Sequence, residues 1–452
     1  MKNNNKRRLR LYIHTVGCAK NLVDSEILAG ELADYYELVE AATEADVTVV
    51  NTCGFIEEAT ATSVEAVLEA VELKKQGQLQ SVFVMGCMTQ KHGDELQLEL
   101  PGIDGVVGVN QFGELLQKMA ATTHPHKQVT RPLPGMFKQR QLATPAHYSH
   151  LRIADGCDNK CTYCAIPSFR GAYYSRTADD ILKEAIALEA NGARELLLIG
   201  QEITSWGKDF DERAHLSDLL YRLHRETKVE WLRLMYTHPP DLDQRLIDTM
   251  AELPRLLPYL DYPVEHLVDS LLKRMNRRQS WDSISRDIAR LREAVPGIAL
   301  RTSIIVGFPG ETEADFELLL ERVKETGFER LGAFPYSDGE EVPARLLPDQ
   351  VPQALRQERY ERLMELQREL SLTANQRLVG TVQEVLFDEI ENGVSLGRTR
   401  FDAPEIDNTV LVAGEIAPGS LLQVSITDAT EYDLYGELRQ QSVETVRKGE
   451  NA

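Results

Sequence analysis

The amino-acid sequence predicts an α/β protein in three parts: an amino-terminal open parallel sheet, a central partial barrel of six strand-helix units, and a small carboxyl-terminal all-β barrel. Up to about residue 336, short apolar runs alternate with helix-like stretches, which is typical of parallel sheets. A polar amphipathic helix follows, and the last part is punctuated by glycine and lacks helical periodicity. At 452 residues the chain is too long for a single core, because domains usually hold about 100 to 200 residues.

The composition limits the classes of function. Hydrophobic residues make up 42% and charged residues 27% of the chain, as in ordinary globular proteins. No apolar run approaches the roughly 20 residues of a membrane-spanning helix, and the segment after the basic amino terminus is too polar for a signal peptide, so we expect a cytoplasmic protein with no membrane partner. A net charge of −21 argues against a broad nucleic-acid interface. A basic protein partner is easier to accommodate, although acidity also simply keeps proteins in solution.

The amino-terminal unit is expected at residues 1–140. Apolar runs at residues 11–14, 47–51, 82–85 and 105–107 predict the strands of an open parallel sheet. A cysteine closely follows each of the first three runs: Cys18, Cys53 and Cys87. Ligands of such sheets bind beyond the carboxyl ends of the strands, so we expect the three thiols to converge, although each one alone could be an ordinary buried residue.

The central unit is expected at residues 141–376, after a linker. Residues 111–146 contain four prolines and little apolar periodicity, which predicts that linker with a domain edge. Strand candidates then alternate with amphipathic helices such as 178–190 and 313–325, which favours an incomplete (β/α)6 barrel with its chemistry at the carboxyl ends of the strands. The candidates are residues 151–154, 195–199, 231–236, 259–263, 299–306 and 330–336, and a helix at 352–376 ends the unit.

The carboxyl-terminal unit is expected as a β-barrel at residues 377–440, followed by a tail at 441–452. Between residues 378 and 438 the only basic residues are Arg398 and Arg400, against twelve acidic ones. Such a field repels phosphate and attracts a basic protein. We therefore expect the barrel to bind a basic protein substrate through surface acids such as Glu405 and Asp407, with a merely solvated acidic surface as the alternative.

The densest motif lies just after the first strand of the central unit. Residues 156–164 read GCDNKCTYC, which places Cys157, Cys161 and Cys164 on one loop. Three cysteines this close can hold three irons of a 4Fe-4S cluster and leave the fourth iron without a thiolate, whereas electron-transfer clusters normally have four. A zinc site with a fourth ligand from elsewhere is the alternative, but no Cys or His follows at the usual zinc-ribbon spacing.

This motif resembles that of the radical S-adenosylmethionine superfamily. The resemblance implies that the open iron is chelated by S-adenosylmethionine, which one electron cleaves to a 5'-deoxyadenosyl radical. Tyr163 matches an aromatic position that packs on adenine, with ordinary loop packing as the alternative. Gln201 and Glu202 end a strand where this family binds the methionine amino group, although Glu202 could be a helix cap. Gly307, in the segment IVGFPGE, resembles a glycine near the adenosine, or a plain turn.

The second set of cysteines makes the resemblance more specific. Three strand-end cysteines ahead of a radical domain, followed by a β-barrel, resemble the methylthiotransferase family over nearly the whole chain. Residues 17–26 (GCAKNLVDSE), 51–59 (NTCGFIEEA) and 164–171 (CAIPSFRG) resemble its RimO branch. In the MiaB branch, which modifies tRNA, the first cysteine is usually followed by Gln-Met-Asn. Glu265, where the family more often has an amide, and Thr15-Val16, which replaces Ser-Leu, depart from the pattern.

The resemblance also implies a reaction with its cofactors and partners. It implies two 4Fe-4S clusters and S-adenosylmethionine, with insertion of a methylthio group at the β-carbon of an aspartate in small-subunit ribosomal protein S-twelve. The central cluster would generate the radical and the amino-terminal cluster would deliver sulfur, with electrons from a flavodoxin or ferredoxin-type donor. The last barrel resembles the TRAM fold, which contacts RNA in the tRNA branch. A tRNA methylthiotransferase and a non-catalytic iron-sulfur binding protein are the alternatives.

Overall fold

The computed structural model of the chain describes residues 7–55, 57–123 and 140–439. Its amino-terminal part is a parallel sheet with a separate hydrophobic core on each face. In chain order its elements are β1 (Leu9–Thr15), α1 (Ala19–Leu32), β2 (Tyr36–Leu38), β3 (Val47–Thr52), α2 (Glu57–Lys75), β4 (Ser81–Gly86), α3 (Cys87–Glu99), β5 (Gly105–Val106) and α4 (Phe112–Thr123).

The five strands lie in the order β2-β1-β3-β4-β5, which confirms the predicted open parallel sheet. Strands β3 and β4 are buried at every position because helices cover both faces of the sheet. Cys18, Cys53 and Cys87 follow β1, β3 and β4, which are direct neighbours in the sheet. The three cysteines therefore leave from the same edge.

The predicted linker at residues 111–146 is wrong over its first part, which forms α4. This helix is amphipathic and packs three apolar side chains into the core: Leu115, Leu116 and Met119. The prolines that suggested a linker begin only at Pro125, after the helix has ended. Residues 124–139, with three of those prolines, lie outside the described residues.

The central part is built from strand-helix units. Its elements are β6 (Tyr148–Arg152), β7 (Ala154–Asp155), α5 (Ile166–Arg170), β8 (Tyr174–Ser175), α6 (Ala178–Ala190), β9 (Glu195–Ile199), α7 (Leu216–Glu226), β10 (Trp231–Leu234), α8 (Gln244–Glu252), β11 (Leu256–Asp261), α9 (Asp269–Arg274), α10 (Trp281–Ala294), β12 (Ala299–Val306), α11 (Glu313–Thr326) and β13 (Arg330–Pro335). Short 3-10 helices at Ala42–Glu44, Pro239–Asp241 and Pro343–Leu346 complete the two parts.

Six of these strands form one parallel sheet in the order β13-β12-β11-β10-β9-β6, which confirms the incomplete six-unit barrel. The first strand begins at Tyr148 rather than at residue 151, since Ser149 and His150 are buried while pairing with β9. Their polar side chains hid this extension from the hydrophobic pattern. The carboxyl ends of the strands carry the cysteine loop and the turns after β9, β10, β11 and β12.

A 24-residue helix, α12 (Gln353–Gln376), joins the central part to the last barrel. Its buried stripe is mostly polar: Arg356, Arg359, Leu363, Gln367, Ser371 and Asn375. No helix in the described ranges is long and apolar enough to cross a membrane. The barrel is closed in the order β14-β15-β16-β18-β17, with β14 (Val382–Glu391), β15 (Val394–Thr399), β16 (Thr409–Ala413), β17 (Leu421–Ala429) and β18 (Asp433–Leu438).

The last barrel packs on the foot of the central sheet, by which we mean the half of that sheet nearest the amino-terminal ends of its strands. Pairs of side chains join the two, among them Tyr148 with Glu405, Glu195 with Arg398, Trp231 with Glu384, Tyr259 with Asp407, and Arg330 with Asp402. The barrel and the cysteine loop thus lie at opposite ends of the central strands.

This interface corrects the expectation that Asp407 is a surface acid, and it gives Glu405, which is exposed, a partner in the central part. The Tyr148 hydroxyl donates to Glu405 Oε1 at 2.9 Å. The Asp407 side chain is 2% exposed and accepts from the Tyr259 hydroxyl at 2.8 Å. Their charges are used to attach the barrel, which the composition alone did not reveal.

Candidate functional site

The amino-terminal cysteines surround one buried side chain, Asn21. The thiols of Cys18 and Cys87 each donate to Asn21 Oδ1 at 3.9 Å. Asn21 Nδ2 donates to the carbonyl oxygens of Val16 at 2.9 Å and Thr52 at 3.0 Å. One amide therefore holds the ends of β1 and β3 together and orients two thiols. Sequence reasoning missed this residue, although it lies inside the quoted segment 17–26.

Cys53 borders the same space. Gly17 has a φ of +112°, and a Cβ at that position would lie 3.2 Å from Cys53 Sγ. Glycine is needed there because it accepts this conformation and lets the end of β1 approach the thiol. The backbone N–H of Cys53 donates to Ser63 Oγ at 2.9 Å. The structure thus brings Cys18, Cys53 and Cys87 together at one sheet edge.

The three thiols differ in their acidity. Burial raises the pKa of Cys53, and it raises the pKa of Cys87 to about 11. Cys18 is open to solvent on one side. Partial desolvation acts to raise its pKa, but the Lys20 ammonium, the Asn21 backbone N–H and the Arg170 guanidinium outweigh this effect and lower the pKa. Cys18 is therefore the thiol of this group that most readily becomes a thiolate.

Arg170, which sequence reasoning also missed, connects this site to the central part. It ends α5, just after the cysteine loop, and its side chain is 1% exposed. Its guanidinium donates to Asn21 Oδ1 at 2.8 Å and pairs with Asp24 of α1 at 3.0 Å. The only sequence signal was its position in the segment CAIPSFRG.

The second group, Cys157, Cys161 and Cys164, lies on the loop between β7 and α5. Gly156 starts the loop with a φ of +68°, and a Cβ there would overlap the Ala172 carbonyl oxygen. The Thr162 backbone N–H donates to the Met275 carbonyl at 3.1 Å, and the Thr162 hydroxyl donates to the Arg274 carbonyl at 2.9 Å. The loop is therefore fixed to the carboxyl end of α9.

One thiol of this group is again more acidic than the others. Burial raises the pKa of Cys157, and it raises the pKa of Cys164 to about 12. Burial also acts to raise the pKa of Cys161, but a hydrogen bond with His238 and the charge of Arg277 lower it overall. His238 and Arg277 were not predicted from sequence, since both come from other strand-helix connections.

Each group supplies three thiols as its donor set. No group of three or more His, Cys, Asp or Glu side chains in the part of the chain that the structure describes is close enough to hold one metal ion. The thiols of each group nevertheless interact electrostatically. In a 4Fe-4S cluster each thiolate binds a different iron, whereas zinc draws its ligands around one point. The donor set of each group, three thiols, fits a three-cysteine cluster.

Gln201 and Glu202 lie at the carboxyl end of β9. Both polar atoms of the Gln201 amide are buried and lack a hydrogen-bond partner among the described residues. Such groups usually have a partner, so an unpaired amide suits a ligand. Glu202 is buried and accepts the backbone N–H of Ser205 at 2.9 Å, which is the local capping role that the sequence left open.

Tyr163 and Gly307 have structural surroundings that account for part of their identity. The Tyr163 ring packs against the central core, with the Arg277 guanidinium 6.0 Å from its centroid. Gly307 has a φ of +70°, and a Cβ there would overlap Arg356 of α12. Its backbone N–H donates to Glu311 Oε2 at 2.6 Å. The close approach of α12 therefore requires glycine at position 307 independently of any ligand.

Comparisons with known families cover all three parts of the chain. Residues 10–108 match the description "Uncharacterized protein family UPF0004", residues 151–323 match "Radical SAM superfamily", and residues 379–438 match "TRAM domain". The three matches correspond to the sheet with the first cysteine group, the partial barrel with the second group, and the closed barrel.

Curated relatives match nearly end to end. The ribosomal protein uS12 methylthiotransferase RimO of Anaeromyxobacter sp. strain K is 42% identical over 434 residues, which cover 94% of this chain and 92% of that protein. The same-named protein of Geobacter sulfurreducens is 41% identical over 435 residues, covering 94% and 97%. Among solved structures, a radical S-adenosylmethionine methyltransferase from Kitasatospora setae shares the fold, with a TM-score of 0.56, 13% identity, and coverage of 84% and 81%.

Proposed function

Because the chain belongs to the RimO family of radical S-adenosylmethionine methylthiotransferases, we propose that it inserts a methylthio group at the β-carbon of an aspartate in ribosomal protein uS12. The observation that carries the proposal is the pairing of two three-cysteine groups through Arg170, which contacts Asn21 in one group and follows the loop of the other. Such an arrangement suits a reaction that needs two centres near one substrate atom. Ribosomal proteins act in the cytoplasm, so we place the activity there.

We assign one 4Fe-4S cluster to each group, with Cys157, Cys161 and Cys164 as ligands of the first and Cys18, Cys53 and Cys87 as ligands of the second. When bound, the clusters and S-adenosylmethionine supply an organic radical that removes hydrogen and a source of sulfur. Each group leaves one iron without a cysteine. The acidic thiols Cys18 and Cys161 are the ones that we expect to bind iron first.

Several residues at the carboxyl ends of the strands suit S-adenosylmethionine. The unpaired amide of Gln201 and the second carboxylate oxygen of Glu202 are available to its polar groups. The Tyr163 ring offers an apolar surface beside the last cysteine of the loop. We propose a contact with Gly307 only through its carbonyl or Cα, since its N–H is already bound by Glu311.

Metal content and cysteine variants test the two-site assignment. We expect about 8 irons per chain after anaerobic reconstitution, and iron near half that amount in the intact protein would contradict two clusters. Cys157→Ala should abolish formation of 5'-deoxyadenosine. Cys53→Ala should keep some of it and stop methylthio transfer. Complete loss of cofactor cleavage in Cys53→Ala would refute the separation of roles.

We propose that a basic surface beside the cysteine loop binds the electron donor. Lys160, Lys273, Arg278 and Arg345 are exposed and form no ion pair with another described residue, and Leu346 next to them is 88% exposed. In a chain with a net charge of −21 this surface suits an acidic flavodoxin or ferredoxin-type protein.

Charge reversal tests this donor surface. Lys160→Glu combined with Arg345→Glu should slow reduction by flavodoxin, most strongly at low salt. Chemical reduction by dithionite is the matched control, since it needs no docking. Equal rates of reduction by flavodoxin in the variant and the wild type would contradict the docking site.

We propose that the acidic outer face of the closed barrel contributes to binding uS12, which is a basic protein. Glu389, Glu391 and Glu437 are exposed on this barrel and form no ion pair with another described residue, unlike Asp407 at the foot, whose buried side chain pairs with Arg301. Glu389→Lys with Glu391→Lys should weaken uS12 binding at low salt more than at high salt. Affinity that stays unchanged after these reversals would remove the barrel from recognition.

The assay that decides the substrate is anaerobic methylthiolation of isolated uS12 and of tRNA side by side. We expect mass addition on uS12 alone. Modification of tRNA instead would establish the MiaB-like alternative. Absence of S-adenosylmethionine cleavage under reduction would favour a non-catalytic iron-sulfur protein.

A further inference from the structure

Lys20 is a buried cation without a carboxylate partner. Its side chain lies in the first turn of α1, two residues after Cys18, and the residue is 7% exposed. No carboxylate of a described residue lies within 4.0 Å of its ammonium. Every other buried lysine or arginine in the described ranges has such a partner: Arg140, Arg170, Arg233, Arg277, Arg330, Arg356, Arg359 and Arg398. Burial of an ammonium without a carboxylate is costly, so the exception needs a reason.

The ammonium is held in place by an aromatic ring instead. Lys20 Nζ lies 3.4 Å from the centroid of the Tyr236 ring, a cation–π contact that positions a charge without neutralising it. Tyr236 has a left-handed backbone, with a φ of +58°, which is uncommon for a residue with a side chain. Its N–H donates to Asp261 Oδ2 at 2.8 Å, which fixes this conformation.

Lys20 therefore lies between the two cysteine groups. In sequence it is close to the first group, two residues after Cys18. Through Tyr236 it reaches the carboxyl end of β10. There the Ile203 N–H donates to the Tyr236 carbonyl at 3.2 Å, directly after Gln201 and Glu202. If both groups act on one substrate atom, as the proposed function requires, that atom binds in this region.

We propose that the Lys20 ammonium binds the side-chain carboxylate of the substrate aspartate, an inference that rests on the proposed function. The carboxylate carbon is bonded directly to the β-carbon, so a clamp on the carboxylate fixes the C–H bond that must be broken. A charge-assisted hydrogen bond to a carboxylate supplies the partner that the ammonium lacks. It also selects an aspartate over asparagine and over a nucleobase, neither of which carries a negative charge at that point.

A double-mutant cycle tests the clamp by binding alone. The probes are isolated uS12 with its target aspartate and the same protein with asparagine there, titrated into the reconstituted full-length enzyme. Lys20→Met keeps the length of the side chain and removes its charge. It should weaken binding of the aspartate form by about 10- to 100-fold and leave binding of the asparagine form unchanged. Lys20→Arg should retain part of the affinity. Lys118→Met, which removes the same charge on α4, is the matched control and should have no effect.

The outcomes separate the inference from the proposed function. Equal weakening of both uS12 forms by Lys20→Met, with or without a lower iron content, would mean that Lys20 serves the cysteine site only, and the clamp would be overturned. Failure of the wild-type enzyme to bind either form would overturn the proposed substrate itself, and the clamp with it.

Discussion

Glu195 is the central ion-pair residue between the closed barrel and the foot of the central sheet. It is fully buried at the start of β9, and its two carboxylate oxygens bind different guanidinium groups. Oε1 accepts from Arg233 Nε at 2.6 Å, and Oε2 accepts from Arg398 Nη1 at 2.6 Å. Burial acts to raise the pKa of Glu195, but the two arginines outweigh it and hold the pKa below the usual value.

Glu195→Gln keeps the shape of the side chain and removes its charge. Two charge-assisted hydrogen bonds then weaken, each worth about 1.5–3 kcal/mol, and two guanidinium groups stay buried with less compensation. We expect a loss of about 3–5 kcal/mol in the free energy of unfolding, the usual cost of breaking a buried ion pair. The matched control is Glu230→Gln. Its pair with Arg194 has the same 2.6 Å distance but exposed fractions of 36% and 38%, so it should cost less than about 1 kcal/mol.

The assay is urea unfolding followed by the fluorescence of Trp231. This residue is buried at the foot, and its Nε1 donates to Glu384 Oε2 at 3.1 Å. Replacing Trp206 and Trp281, the other two tryptophans, by phenylalanine makes the signal local. A local probe is needed because a chain of several parts need not unfold in one step. If Glu195→Gln and Glu230→Gln had the same unfolding midpoint, the structural role assigned to the buried ion pairs would be refuted.

Two further predictions concern stability. Burial and the charge of Arg140 lower the pKa of His150 to about 4, so His150 is neutral when folded and stability should fall as the pH drops below 6.5. The loss by pH 5 is about 2 kcal/mol, and His150→Gln should make the unfolding free energy less dependent on pH between 7 and 5; an unchanged slope would contradict this. Gly307→Ala should cost about 1–3 kcal/mol or more, because backbone strain adds to overlap with Arg356. Gly297 has a φ of +77° and open space around it, so Gly297→Ala measures the cost of backbone strain alone. Equal losses of unfolding free energy in Gly297→Ala and Gly307→Ala would mean that overlap with Arg356 contributes nothing.

The parts of the site that are close in sequence could be predicted, and so could those tied to strand ends. The loop of Cys157, Cys161 and Cys164 is a local motif, and the neighbouring strands β1, β3 and β4 bring the other cysteines to one edge because parallel strands end together. The order and class of the three parts followed from periodicity. The roles of the six cysteines as cluster ligands stay predictions.

The contacts between parts could not be predicted. Arg170 and Asn21 are 149 residues apart, and Tyr148 and Glu405 are 257 apart. Composition counted Asp407 as a surface charge because it says nothing about which partner a charge meets. Helix α4 was missed for a different reason: the prolines that follow it outweighed a short amphipathic pattern.

The way the closed barrel packs on the foot has a consequence for synthesis of the chain. Ribosomes deliver the amino-terminal parts first, so both cysteine groups emerge before the residues that close the other end of the central sheet. Arg330 has its buried partner, Asp402, 72 residues further on. A chain that stops before residue 402 therefore carries every cysteine but leaves Arg330 without that partner at an open foot. The foot of the central sheet is therefore covered only when translation reaches the closed barrel, after every cysteine has been made.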